Sequence, residues 1–186
     1  MNEPAPLPVP SALIAVIRCV AKSAVLLVTR RVHLPTTHVE TRLRFGDGTT
    51  SWVYRETVLD RAAPRDPCAL VVKFRLRAVR GRGHAAFRRE SLLNTPLFVG
   101  FPGFVSKLWL AADERGFYRG IYQWDGENLA HAYARALWRV LTLVSVPGSI
   151  GYTVIPGAWR DALLAETAGP EPAATEADWW RPVTTA

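Results

Sequence analysis

From Ser11 to Val32 the chain is almost unbroken in apolar residues. Ser11, Arg18, Lys22 and Thr29 fall on one side at a 3.6-residue period, so the segment reads as a helix with a wide apolar face. Pro10-Ser11 suits its start and Pro35 bounds its far side, while the prolines of residues 2–10 predict an extended arm. The period then shortens to two. Val39–Phe45 alternates, Gly46-Asp47-Gly48-Thr49 turns, and Trp52–Val58 alternates back, which predicts a hairpin within 38–59. Glu40, Arg42, Arg44 and Arg55 on its rows are expected to form solvated cross-strand ion pairs. Asp60–Pro67 reads as a linker.

The middle of the chain repeats these signals in a defined order. Ala69–Arg77 alternates as a strand with Val72, Phe74 and Leu76 facing one way. A helix is expected from about His84 to Leu97, ending near Pro96. Phe104–Leu110 follows as a strand with Val105, Lys107 and Trp109 on one face and Ser106, Leu108 and Leu110 on the other. After a turn at Asp113–Gly116 comes a strand with Tyr118, Gly120, Tyr122 and Trp124 on a shared face. A helix over Leu129–Val144 and a strand over Ser149–Ile155 close the set. The order is β-α-β-β-α-β, a ferredoxin-like α+β unit. Four stretches result: an arm and apolar helix (1–35), a hairpin extension and linker (36–68), the ferredoxin-like core (69–157), and a short helix at Trp159–Glu166 with a tail (158–186). The tail beyond Gly169 is rich in Pro, Ala and Glu and is expected to be mobile, with Trp179-Trp180 able to dock.

Composition narrows the function. The formal charge is +7, and all basic residues except Lys22, Lys73 and Lys107 are Arg. That bias, with abundant Ala, Gly and Pro, suggests a GC-rich bacterial coding sequence. The positive charges are scattered and no nucleic-acid motif accompanies them, so no nucleic-acid partner is expected. Cys19 and Cys68 are too few and too far apart for a disulfide scaffold or zinc site, and the histidines lack metal-ligand spacing. No metal is expected, nor are nucleophile-elbow, dinucleotide or phosphate-loop motifs present. A reduced, cytoplasmic setting follows from the cysteine usage.

The Ser11–Val32 helix admits three readings: packing on the domain or a partner subunit, lying in a membrane interface, or spanning a bilayer. Arg18 and Lys22 sit mid-segment, where each costs about 2.5–3.5 kcal/mol at a bilayer centre, which weighs against a span. Basic residues inside and after the apolar run, not before it, weigh against a secretion signal. Peripheral membrane contact through residues 11–32 stays open.

The run Pro102-Gly103-Phe104-x-x-Lys107-x-Trp109, followed by Gly120-Ile121-Tyr122-x-Trp124 and a helix, resembles the mono-oxygenase branch of the dimeric α+β-barrel superfamily, related to the antibiotic-biosynthesis monooxygenases. The resemblance covers about residues 69–157. It implies a homodimer with facing sheets and a pocket between each sheet and its helices. It also implies chemistry on a hydrophobic, polycyclic or polyketide-like metabolite without a cofactor. Oxygenation leads, with cyclisation or isomerisation in natural-product biosynthesis as alternatives, and a non-catalytic binding or membrane-associated protein as the rival class.

Lys107, the lysine of the Phe104–Leu110 strand and on a face with Trp109, is the first catalytic candidate: its ammonium can stabilise an enolate or phenolate, or its amine can act as a base. An ordinary edge lysine reaching solvent is the alternative. His84 and Tyr122 complete the catalytic set. Trp109, Tyr118 and Trp124 are candidates for stacking on a planar substrate, and Ser91 and Asn94 for hydrogen bonding to it. His131 and Tyr133 stand in reserve.

Overall fold

Alternation places Leu70, Val72 and Phe74 on one face of β4 (Pro67–Arg75) and Val71 on the other, and two separate apolar layers form on the two sides of the sheet. The computed structural model describes residues 7–77, 83, 91–165 and 175–185. β4 is followed by a 3-10 turn (Ser91–Leu97), β5 (Phe104–Leu110), β6 (Phe117–Asp125), the helix Glu127–Val144 and β7 (Gly151–Pro156). The spatial order β7-β4-β6-β5 is that of an antiparallel ferredoxin-like unit. This is an α+β fold, as the pattern predicts. The expected helix from His84 is described only at its end, where Ser91–Leu97 is a 3-10 turn with Pro96 inside it; residues 84–90 lie outside the described set.

The hairpin extends the sheet. β3 (Thr50–Leu59) pairs with β5, β2 (Arg42–Phe45) with β3, and β8 (Pro182–Thr185) with β2, so the order continues β5-β3-β2-β8. β1 (Val32–His33) pairs with the far end of β3. β2 is shorter than its alternation suggests because Glu40 takes a φ of 73° in a turn. Two irregularities in the ladders re-aim side chains. One lies between Val53 and Arg55 against β5, the other between Phe104 and Ser106 against β6. Each admits an extra residue, so Tyr54 and Arg55 both turn to one face, as do Phe104 and Lys107.

On that face lie the chain's longer helices, α1 (Val9–Val28) and α2 (Glu127–Val144). Tyr133, Ala134 and Leu141 of α2 join Leu70, Val72, Phe98, Phe104, Trp109 and Trp124 in the larger core. Gly103 sits at φ +83°, and a Cβ there would stand 2.7 Å from the Asp125 carbonyl oxygen, so only glycine lets the Pro102-Gly103-Phe104 turn close onto the end of β6. α1 buries a narrow stripe of small side chains, Ala12, Cys19 and Ser23, together with Leu26. The Cys19 thiol and Ser23 hydroxyl both donate to the Pro96 carbonyl, at 3.2 and 2.9 Å. Gly100 makes this approach possible: a Cβ there would lie 2.1 Å from the Cys19 carbonyl oxygen.

The opposite face is covered by the chain's own C-terminal portion. α3 (Arg160–Ala165) and the tryptophans Trp179 and Trp180 pack over Leu43, Phe45, Val53, Val71, Leu108, Leu110 and Ile121. The tail is thus docked over 175–185 and contributes a strand, where composition predicts mobility; residues 166–174 lie outside the described set. Buried polar groups fasten it. The Arg119 guanidinium meets Asp113 at 2.6 Å and Asp47 at 2.7 Å and donates to the Trp179 carbonyl. Glu56 accepts from Arg160 at 2.8 Å and contacts the His38 ring at 2.9 Å, and the Gln123 amide holds both the Ala158 carbonyl and the Arg160 N–H. Every charge in this group has a partner, as a buried ionic network requires.

Candidate active site

Between the sheet and α2 lies a cavity of about 840 Å³. Phe74 of β4, Lys107 and Trp109 of β5, and Tyr118, Gly120 and Tyr122 of β6 form its floor; Asn94, Leu97 and Phe98 bound it on one side. Tyr133, Leu137 and Leu141 of α2 roof it, and Tyr54 of β3 closes an edge. It reaches the surface beside Leu143 and Val144, both exposed. Phe74 and Tyr118 stack at 5.8 Å between centroids. At Gly120 a Cβ would meet the Tyr122 ring at 2.8 Å, so this glycine leaves room for that ring to lie along the floor. The volume and the flat aromatic walls suit a planar, hydrophobic molecule of metabolite size.

Lys107 is the polar focus of this space. It is 7% exposed, and its ammonium stands 3.2 Å from the centre of the Trp109 ring, with Phe98 and Tyr122 at 4.6 and 4.7 Å. Three aromatic faces give it cation–π contact. Arg55 presses on the same indole, its guanidinium carbon 3.8 Å from the ring centre. One Arg55 nitrogen donates to the Ser91 carbonyl at 2.8 Å, while its Nε and Nη1 are buried without acceptors among the described residues. Among the described residues no carboxylate pairs with either cation. Burial, and then the Arg55 charge, holds the Lys107 ammonium well below the ordinary lysine range. Burial lowers Arg55 as well.

Around this pair the hydroxyls are engaged. Tyr133 donates to the Tyr122 oxygen at 3.2 Å, Tyr54 to Ser91 Oγ at 3.2 Å, and the Trp109 indole N–H to Thr57 Oγ1 at 3.0 Å. Burial pushes both Tyr122 and Tyr133 above the usual tyrosine range, so both remain protonated at neutral pH.

The sequence-derived candidates divide accordingly. Lys107, Tyr122, Asn94, Trp109 and Tyr118 meet at the cavity. Ser91 is buried behind it, bonded to Tyr54, and Trp124 is fully buried in the core between Phe104 and Tyr133. His84 lies outside the described residues. His131 sits away from the cavity on α2, beside Tyr152 and Glu127. Arg55 corrects the expectation most: it is no solvated pair member but a buried cation behind Trp109, because the irregularity at Tyr54 turns it inward. Tyr54 and the α2 residues Leu137 and Leu141 complete the lining without a signal in the β-strand pattern.

No family model and no curated protein matches the sequence. Two solved structures are similar in fold. One is an uncharacterised ferredoxin-fold protein from Listeria monocytogenes, described as related to antibiotic biosynthesis monooxygenases. It is 15% identical over 60% of this chain and 66% of its own, with a TM-score of 0.42. The other is an anthrone oxidase-like protein, 16% identical over 58% of this chain and 54% of its own, with a TM-score of 0.38. In both, the likeness leaves a third or more of the neighbour's length unmatched.

Proposed function

We propose that this protein is a small, cofactor-independent enzyme that deprotonates a flat, hydrophobic, weakly acidic metabolite of the polycyclic or polyketide type and promotes its oxygenation. The observation carrying the reading is a buried lysine, paired with no carboxylate among the described residues, facing an aromatic cavity of about 840 Å³. An amine so desolvated sits in its neutral form more readily than an ordinary lysine and can take a proton from a substrate C–H or O–H. The ammonium it becomes then faces the substrate anion, and each charge compensates the other against the apolar cavity wall.

The substrate anion is the reductant and dioxygen the oxidant. An activated methylene gives its first proton to Lys107 and its electron pair to dioxygen, forming a C–O bond and a hydroperoxide once a proton returns. Loss of the second C–H proton with cleavage of the O–O bond leaves a carbonyl and releases water. In this reading Trp109, Phe98 and Tyr122 exclude solvent from the anion, and Asn94, which lines the cavity, orients a substrate oxygen. Cyclisation or isomerisation uses the same proton abstraction, with the proton returned elsewhere on the substrate and no oxygen consumed.

The test is a panel of anthrone-like methylenes and polycyclic phenols offered to the protein in an oxygen electrode. Oxygen uptake coupled to product formation, reduced at least about 100-fold in Lys107→Met, is the expected result. Turnover without oxygen uptake selects the isomerase or cyclase reading. If no planar acid binds, the enzyme reading is wrong.

A further inference from the structure

α1 turns most of its apolar surface to solvent. Leu13, Ile14, Ile17, Val20, Val25 and Val28 are all exposed, Ile17 by 58% and Val28 by 83%. The opposite stripe, Ala12, Cys19, Ser23 and Leu26, packs on the domain. At 100° per residue the exposed residues fill a continuous arc along the helix, and Arg18 and Lys22 line one border of it. Arg30 and Arg31 stand exposed just past its end. A globular chain seldom leaves so long an apolar strip open without a use for it.

We infer that this face of α1 seats the protein on an anionic lipid surface, with the helix lying in the membrane plane. Three observations select that occupant. The basic residues border the apolar arc instead of interrupting it, which suits phosphate headgroups beside acyl chains. The chain's net charge of +7 adds attraction to an anionic surface. The helix is long and apolar enough to cross a bilayer, yet it is tied to the fold along its inner stripe: Cys19 and Ser23 bond Pro96, and Gly100 admits the helix backbone at a distance no Cβ would allow. A crossing would break those ties; a face-down seat keeps them. The start of α1 is also held beside α2, where Arg139 donates to the Leu7 carbonyl at 2.8 Å, one turn before the exposed Leu143 and Val144 that edge the cavity.

The test is co-sedimentation of the full chain with phosphatidylcholine vesicles containing or lacking about a third phosphatidylglycerol. Binding to the anionic vesicles, abolished by Ile17→Glu, is expected. Arg18→Glu with Lys22→Glu should lower the partition coefficient at least about 30-fold, equivalent to about 1 kcal/mol for each basic residue lost at the surface. All these positions face outward, and unchanged thermal unfolding checks that the variants fold. Failure to sediment with either vesicle overturns the inference, as does sedimentation that Ile17→Glu leaves intact. A dimer in solution that Ile17→Glu splits, without vesicle binding, would assign the face to a second copy instead. Each result is independent of turnover in the cavity.

Discussion

Replacing Lys107 by Met should make the protein more stable, although it removes a buried polar group that contacts three aromatic rings. The side chains are close in length, so the change deletes charge more than volume. Burying an unpaired ion carries an effective penalty of several kcal/mol after relaxation. Against this, Lys107 has cation–π contact with Trp109, Phe98 and Tyr122, together contributing on the order of 2 kcal/mol in a desolvated setting. The surplus penalty is about 2 kcal/mol, so Lys107→Met should raise Tm by about 4–8 °C for a chain of this size. The pH dependence provides a second check. Because folding depresses the lysine, the unfolded chain binds more protons between the folded value and the ordinary 10.5. The penalty is therefore full below the folded value and vanishes above about pH 10.5. The advantage of Lys107→Met, followed by calorimetry or circular dichroism, must shrink as pH rises towards 10.5. A lower Tm at neutral pH, or an advantage independent of pH, would refute the assignment of Lys107 as a buried, uncompensated cation.

Other perturbations separate the parts of the structure. Arg55→Met removes the charge that helps depress Lys107, so the lysine should titrate at higher pH, as read from the pH dependence of its reaction with an amine reagent. Arg119→Met strands the buried carboxylates of Asp47 and Asp113 and should cost about 3–5 kcal/mol in urea unfolding, with Trp179 becoming exposed to fluorescence quenchers. Gly100→Ala forces the 3-10 turn away from α1 and should destabilise by about 1–3 kcal/mol, with faster amide exchange concentrated in residues 9–28. The Asp125 carboxylate is held below its usual range, first by the Asp66 N–H and then by that of Arg65 and the Arg61 charge. Its contribution is present above about pH 4 and lost as pH falls through the folded value, so Asp125→Asn should flatten that part of the acid unfolding profile.

The β4 to β7 unit was legible because its strands alternate between two buried layers and the parity of a residue reports which layer it joins: Lys107 and Trp109 fall as the period of two demands, and Tyr118, Gly120 and Tyr122 share the cavity floor. What alternation cannot report is a change of phase. A single extra residue near Tyr54 turned Arg55 from a surface row into the core, and no local composition marks it. Trp124 shows a second limit. It has the parity of Tyr122, but position along the strand places it beyond the cavity, under Phe104 and Tyr133. The tail shows a third, since β8 is four residues long, too short to carry an alternation signal, and forms its ladder on the edge of β2, far off in sequence.

That last pairing sets the order in which the molecule can be completed on a ribosome. Leu43 finds its outer partner only when Thr185 has been made, and Phe45, Val53 and Ile121 gain their cover only when α3 and Trp179 emerge. Until then the nascent sheet presents a broad greasy side and an unpaired β2 edge to its surroundings, a template for other strands. Chaperone dependence during synthesis, and aggregation of chains stalled before residue 160, are therefore expected of a sheet whose second side is sealed by residues translated long after its own.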